Sequence, residues 1–198
     1  QKDVSTPWDE THDIQNDMLN YFYNALWGNI PRKEIKDISL LKFYNKMNSG
    51  FDVVSCQFAI HYMFRDDESL EVFCDNVDKV LNTNGYFIGT CMDGNKVNTL
   101  LSGSKNGIKE GVHKGNVLWM IEKKYETYLP KKTGQKIGVF VESINNMFDE
   151  YLVDIDLLTE KLEKRKIRKL NNTEMTKLGI KDSVGNFESW YNEDKYSL

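Results

Sequence analysis

Phe51-Asp-Val-Val-Ser-Cys-Gln-Phe58 is a short, largely apolar run rich in β-branched residues, bounded by Gly50 on its N-terminal side. Such a run predicts a strand buried on both faces, the habit of parallel sheets covered by helices. Downstream, Leu70, Phe73, Val77, Val80 and Leu81 recur at three- and four-residue spacing. Asp66 or Asp67 can serve as N-cap and Gly85 lies just past the end, so this segment is predicted as a helix. Tyr86-Phe-Ile-Gly-Thr-Cys-Met92 reads as a second strand, and residues 94–101 as a short helix. Strand, helix and strand make a βαβ unit whose strands run parallel, which sets the class as α/β.

Upstream, Ile14, Met18, Leu19, Phe22, Ala25 and Leu26 lie on one face of a predicted helix over 13–26. A loop punctuated by Gly28 and Pro31 follows. Beyond the βαβ unit, 117–125 and 136–143 are strand-like and flank the polar turn Pro130-Lys-Lys-Thr-Gly134, a hairpin pattern. A helix is expected over roughly 155–166, with Ile155, Leu158 and Leu162 facing inward. The last 25 residues are polar, with Trp190 and Tyr191 as isolated anchors. The expected organisation is one partial domain over 1–198: a lead-in helix and loop (1–50), the βαβ core (51–110), a hairpin and helix (111–170) and a polar C-terminal segment (171–198).

The bulk numbers narrow the function. At 198 residues the chain fits one domain with a sizeable core. No apolar run approaches the roughly 20 residues that span a bilayer, and no basic-then-apolar leader opens the sequence, so a soluble cytoplasmic protein is expected. Cys56, Cys74 and Cys91 form neither a CxxC pair nor an even-numbered framework, which argues against disulfides and structural zinc. A net charge of −4 argues against indiscriminate nucleic-acid binding, since counterion release needs a basic face. The basic run from Lys161 to Lys169 is interrupted by Glu163, with Glu160 just before it, and reads first as a solvated helix face.

In open α/β sheets the ligand lies beyond the carboxyl ends of the strands, so Ala59, Ile60, His61 and Tyr62 should border a site. An ordinary strand-to-helix turn would look the same from geometry alone. The words of the sequence add what spacing does not. FDVVSCQFAIHYMF (51–64), followed by NGYFIGTCMDG (84–94), closely resembles the mRNA cap guanine-N7 methyltransferase family, and VESINN (141–146) with EYLV (150–153) resembles the capping enzymes of large DNA viruses. The resemblance runs to about Leu170.

It implies transfer of a methyl group from S-adenosylmethionine to N7 of the cap guanine on a class I, Rossmann-like fold. It also implies Gln57 as a contact to the cofactor, His61 and Tyr62 as residues lining the cap guanine and the methyl-donor pocket, and Glu150, sixteen residues after Gly134, as the carboxylate gripping the guanine's Watson–Crick edge. His61, Tyr62 and Glu150 are thus the expected catalytic residues. Asn29, in Leu26-Trp-Gly-Asn-Ile30, stands where the family has an acidic contact to the adenine amino group; its side-chain oxygen can still accept from an amine, and a plain turn residue reads equally well there. Asn84 replaces a family glycine, and asparagine tolerates positive φ better than most residues.

These residue types suit the chemistry. Guanine N7 carries a free in-plane lone pair, so attack on a sulfonium methyl needs no general base. Catalysis then rests on alignment and on the electrostatics of the changing charges. A carboxylate accepts from guanine N1 and N2, an imidazole donates to O6, and an aromatic ring packs on a base or a sulfonium. Taken alone, Glu150 also reads as a helix-start carboxylate favoured by the macrodipole.

No glycine-rich strand-to-helix loop precedes Gln57, and the family's closing strand pair is missing. The resemblance therefore implies a partial fold that lacks the first strands, and an isolated chain that binds S-adenosylmethionine weakly or not at all. Expected partners are the capped mRNA 5′ end and fused or associated triphosphatase and guanylyltransferase domains, in host cytoplasm or a viral factory. A non-catalytic, methyltransferase-like subunit supporting a capping enzyme is the alternative.

Overall fold

The structure is a computed structural model that describes residues 17–186. In chain order these form α1 (Asp17–Trp27), β1 (Phe51–Gln57), α2 (Ile60–Met63), α3 (Asp67–Val80), β2 (Leu81–Thr90) and α4 (Gly94–Ser102). There follow β3 (Ile108–His113), β4 (Asn116–Lys123), β5 (Lys136–Val141), β6 (Asn146–Tyr151), α5 (Ile155–Glu163) and α6 (Asn172–Leu178). β1 and β2 pair in parallel across α2 and α3, while β3 to β6 form an antiparallel sheet in sequence order. The fold is α/β, as the βαβ pattern predicted.

The crossover helix forms where its spacing placed it. Asp66 caps α3 by accepting from the Ser69 N–H, and the Arg65 guanidinium, with further hydrogen bonds from Ser69, holds its carboxyl down at about 2. Leu70, Phe73, Cys74, Val77 and Val80 are buried along one face of the helix. Of these, Leu70, Phe73, Cys74 and Val77 pack with Ile60 and Met63 of α2, with its C-cap Phe64, and with Leu157, Leu158 and Leu162 of α5. A second core joins Val97 and Leu101 of α4 to Ile121 and Ile137 of the antiparallel sheet.

Several expectations are corrected. β1 is not buried on both faces: Val54 and Cys56 pack on the α3 core, whereas Phe51 and Val53 are exposed, because helices among the described residues cover only one side of the strand pair. α3 ends at Val80, and β2 begins at once rather than at Tyr86. The left-handed residue is indeed Asn84, at φ 65°, but it caps no helix; it lies in the irregularity where Phe51 pairs with Leu81 and Val53 with Tyr86. The expected hairpin is the middle of a four-stranded sheet, to which β3 and β6 add strands without a sequence-based prediction. α5 ends at Glu163, three residues early. The polar tail contains α6, started by a capping box between Asn171 and Glu174. The expected helix over 13–16 and the anchors Trp190 and Tyr191 lie outside the described residues. Among the described residues no helix is long and apolar enough to cross a membrane.

The basic run is engaged with carboxylates of the same chain. Lys161 and Arg165 bind Glu71, Arg165 also binds Asp75, and Arg168 binds Glu174. Lys131 and Lys136 pair with Glu160 and Asp149.

The turn from 129 to 135 is fastened from both ends. Buried Gln135 accepts from the Leu129 N–H and donates to the Leu129 and Lys132 carbonyls, and Gly134 donates to the Phe64 carbonyl. Asp154, 3% exposed, accepts from Leu157 as the α5 cap and from Lys131 in the turn. Asp154→Ala strips two backbone donors of their partner at once. The expected loss is about 2–3 kcal/mol, read as a lower urea midpoint at unchanged slope.

Candidate active site

β1 ends at Gln57 and the chain turns into α2 through Phe58, whose φ of 50° is rare for a bulky residue. The Phe58 N–H donates to the carbonyl and the hydroxyl of Thr90, at 3.0 and 3.1 Å. From this turn α2 carries His61 inward, 7% exposed, and Tyr62 outward, 48% exposed, with the ring centroids 4.2 Å apart and tilted by 59°. Phe58 itself is 62% exposed beside Gln57.

Glu150 arrives from the other sheet. It is not at a helix start but on β6, opposite Ile137 of β5, so strand alternation points it to the face that α4 covers. There its Oε2 lies 3.7 Å from His61 Nε2, with both side chains largely buried. At that separation the two do not hydrogen-bond, and Nε2 is a buried nitrogen without a partner. Burial lowers the His61 pKa and raises that of Glu150, the reverse of what a closed ion pair would do to each. The imidazole is therefore held toward its neutral form, facing a carboxyl that ionises less readily than usual. The gap between them offers a donor and an acceptor side by side.

The structure brings together His61, Tyr62 and Glu150, with Gln57 at the head of the same turn. Gln57 accepts from the Thr90 hydroxyl at 2.8 Å and donates to Ser55 Oγ at 2.9 Å. Asn29 is not gathered with them by any bond: its side chain and backbone N–H both reach Asn24, in the turn after α1. Phe58 and Thr90 escaped the sequence reading. Thr90 was detectable in principle, since parallel pairing sets the ends of β1 and β2 side by side. A left-handed phenylalanine has no sequence signal.

Comparison with known proteins agrees with the motif. A profile of the mRNA (guanine-N(7))-methyltransferase domain matches residues 20–186. The chain is 28% identical over 167 residues to a probable mRNA-capping enzyme of Acanthamoeba polyphaga mimivirus, covering 77% of this chain and 14% of that protein. It is 42% identical over 57 residues to the mRNA cap guanine-N(7) methyltransferase of Caenorhabditis elegans, covering 29% of this chain and 15% of that one. Against the protein of the same name from Meyerozyma guilliermondii it is 27% identical over 150 residues, covering 71% and 24%. The chain thus spans under a quarter of the length of each of these relatives. With most of its residues inside the profile match, the chain belongs to the mRNA (guanine-N(7))-methyltransferase domain family.

Proposed function

We propose that this chain receives the guanine of an RNA cap between His61 and Glu150 and takes part in methylating it at N7. The observation that carries the reading is the buried, unpartnered His61 Nε2 facing Glu150 across 3.7 Å. A buried polar nitrogen without a partner requires a reason, and a ligand that supplies one is such a reason. Guanine presents O6, N1–H and N2–H along one edge, so an imidazole N–H and a carboxylate side by side match its acceptor and donors. Glu150 also faces the purine as it turns cationic, where a fixed negative charge lowers the barrier.

The residues at the end of β1 fit S-adenosylmethionine. After its bonds to Ser55 and Thr90, the Gln57 amide keeps one N–H and one lone pair for a ligand. Phe58 and Tyr62 present exposed aromatic rings beside it, surfaces that favour a sulfonium. When bound, the cofactor supplies an electrophilic methyl group. The protein's part is to hold the acceptor in line and keep it from rotating, with no proton to remove. Asn29 as an adenine contact rests on the resemblance alone. The same reading places the chain with triphosphatase and guanylyltransferase activities, fused or associated, in the cytoplasm or a viral factory.

The test is methyl transfer by the full-length protein from labelled S-adenosylmethionine to GpppA-ended RNA, followed by digestion to nucleosides. Label in 7-methylguanosine is expected, and none with ApppA-ended RNA. Label elsewhere, or equal transfer to both RNAs, would remove the guanine reading.

A further inference from the structure

We infer that Thr90 is a positioning residue: its hydroxyl locks the Gln57 amide in one orientation and so decides which Gln57 atoms remain for the methyl donor. The inference rests on the proposal that Gln57 contacts the cofactor. Thr90 closes β2 directly opposite Gln57 in the parallel register. Its hydroxyl lies 3.1 Å from the Phe58 nitrogen and 2.8 Å from Gln57 Oε1. A backbone N–H can only donate, so the threonine oxygen is the acceptor toward Phe58. Its single proton goes to Gln57 Oε1, the end of the amide that can accept it.

That polarity fixes the amide flip. With Oε1 committed to Thr90, Nε2 faces Ser55 Oγ at 2.9 Å, and the donors run in one direction, from the Phe58 N–H through the Thr90 hydroxyl to Gln57, and from Gln57 to Ser55. Gln57 is exposed, where water competes for the same groups, so an unlatched amide would sample both flips and several rotamers. The same hydroxyl gives the Phe58 N–H a second acceptor in a backbone conformation that side chains with a Cβ rarely take. The Phe58 N–H keeps the Thr90 carbonyl, at 3.0 Å, when the hydroxyl is removed, so the turn that delivers His61 survives the deletion while the Gln57 amide loses its anchor.

Thr90→Val keeps the shape and removes the hydroxyl; Thr90→Ser keeps the hydroxyl; Thr90→Ala is the second deletion should valine disturb folding. The side-chain amide of Gln57 is followed by nitrogen-15 NMR of the full-length protein, assigned by its disappearance in Gln57→Ala. Thr90→Val or Thr90→Ala is expected to move the two Gln57 amide protons toward free-glutamine positions. The KM for S-adenosylmethionine should rise by up to about tenfold, the scale of one hydrogen bond, while the KM for capped RNA stays put. Thr90→Ser should restore both. Unmoved amide signals in a folded deletion variant would overturn the latch. A cofactor KM unchanged in Gln57→Ala as well as in Thr90→Val would instead overturn Gln57 as a cofactor contact, with the amide signals still reporting on the latch.

Discussion

Glu150→Gln is expected to lower the rate of cap methylation by about 10²- to 10³-fold while leaving S-adenosylmethionine binding within a factor of two. The amide is nearly the same size as the carboxylate but has no charge, and its nitrogen presents donors to a guanine edge that also donates. The loss combines mismatched recognition with the missing anion opposite a purine that becomes cationic, and removal of one such electrostatic group is worth this much in other enzymes. Loss of cofactor binding in the same variant would mean that Glu150 has been put on the wrong ligand.

The acid limb of the pH profile follows from the same residue. Burial raises the Glu150 pKa above its ordinary 4.5, so activity should fall as pH drops through that raised value, earlier than an exposed glutamate would allow. Stability should run the other way. Between 4.5 and the raised value the folded chain holds a proton that the unfolded chain has released, so this group's contribution to stability declines as pH rises through that window. Glu150→Gln should therefore melt higher than the parent at neutral pH, and the difference should vanish below pH 4.5. His61 contributes oppositely, its lowered pKa costing stability as pH falls below 6.5, and because it faces Glu150 at 3.7 Å the two proteins are compared at neutral pH and below pH 4.5, where the charge of residue 150 is settled. A glutamine variant that melts lower at neutral pH would contradict this account.

Phe64→Ala should be the most damaging core substitution. The ring is 0% exposed at the junction of α2 and α3, in the cluster that also takes in Leu157, Leu158 and Leu162 of α5. Truncating such a ring costs about 3–5 kcal/mol, comparable with the whole stability of a small domain. The variant should be largely unfolded at 37 °C by circular dichroism, and Phe64→Leu should recover most of the signal. Because Phe64 follows His61 by three residues and its carbonyl holds Gly134, partial loosening should weaken guanine recognition before the helices melt.

The parts of the molecule legible in the sequence are those governed by short-range rules. α3 was readable from Asp66, five spaced apolar residues and the change of period afterward; β4 and β5 were readable from two runs around a polar turn. β3 and β6 were not, because Ile108–His113 and Asn146–Tyr151 mix charged and apolar residues without clean alternation and become strands only by pairing with neighbours. The exposure of Phe51 and Val53 was equally hidden, since a strand's composition does not state how many of its faces are covered. At the site, the strand-end rule placed His61 and Tyr62 beside a ligand, while their roles and the choice of Glu150 came from family wording. The 3.7 Å gap, the unpartnered nitrogen and the opposed pKa shifts arise from packing α2 against β6, which no local pattern encodes.

The segment Leu152–Asp154 has a further significance. Leu152 donates to Gln135, and the Val153 carbonyl takes the N–H of Gly94, where a methyl group would come within 2.8 Å of that oxygen. One short splice thus couples the strand bearing Glu150 to the chain leaving β2, so in the proposed reaction the reach from methyl donor to acceptor would be set by backbone rather than by side chains. A slip of a single residue in β6 would turn Glu150 to the opposite face and aim Asp149 or Tyr151 at His61. Residues that touch neither ligand can in this way set the reach of the reaction, and the side chain least open to exchange in that splice is the hydrogen atom of Gly94.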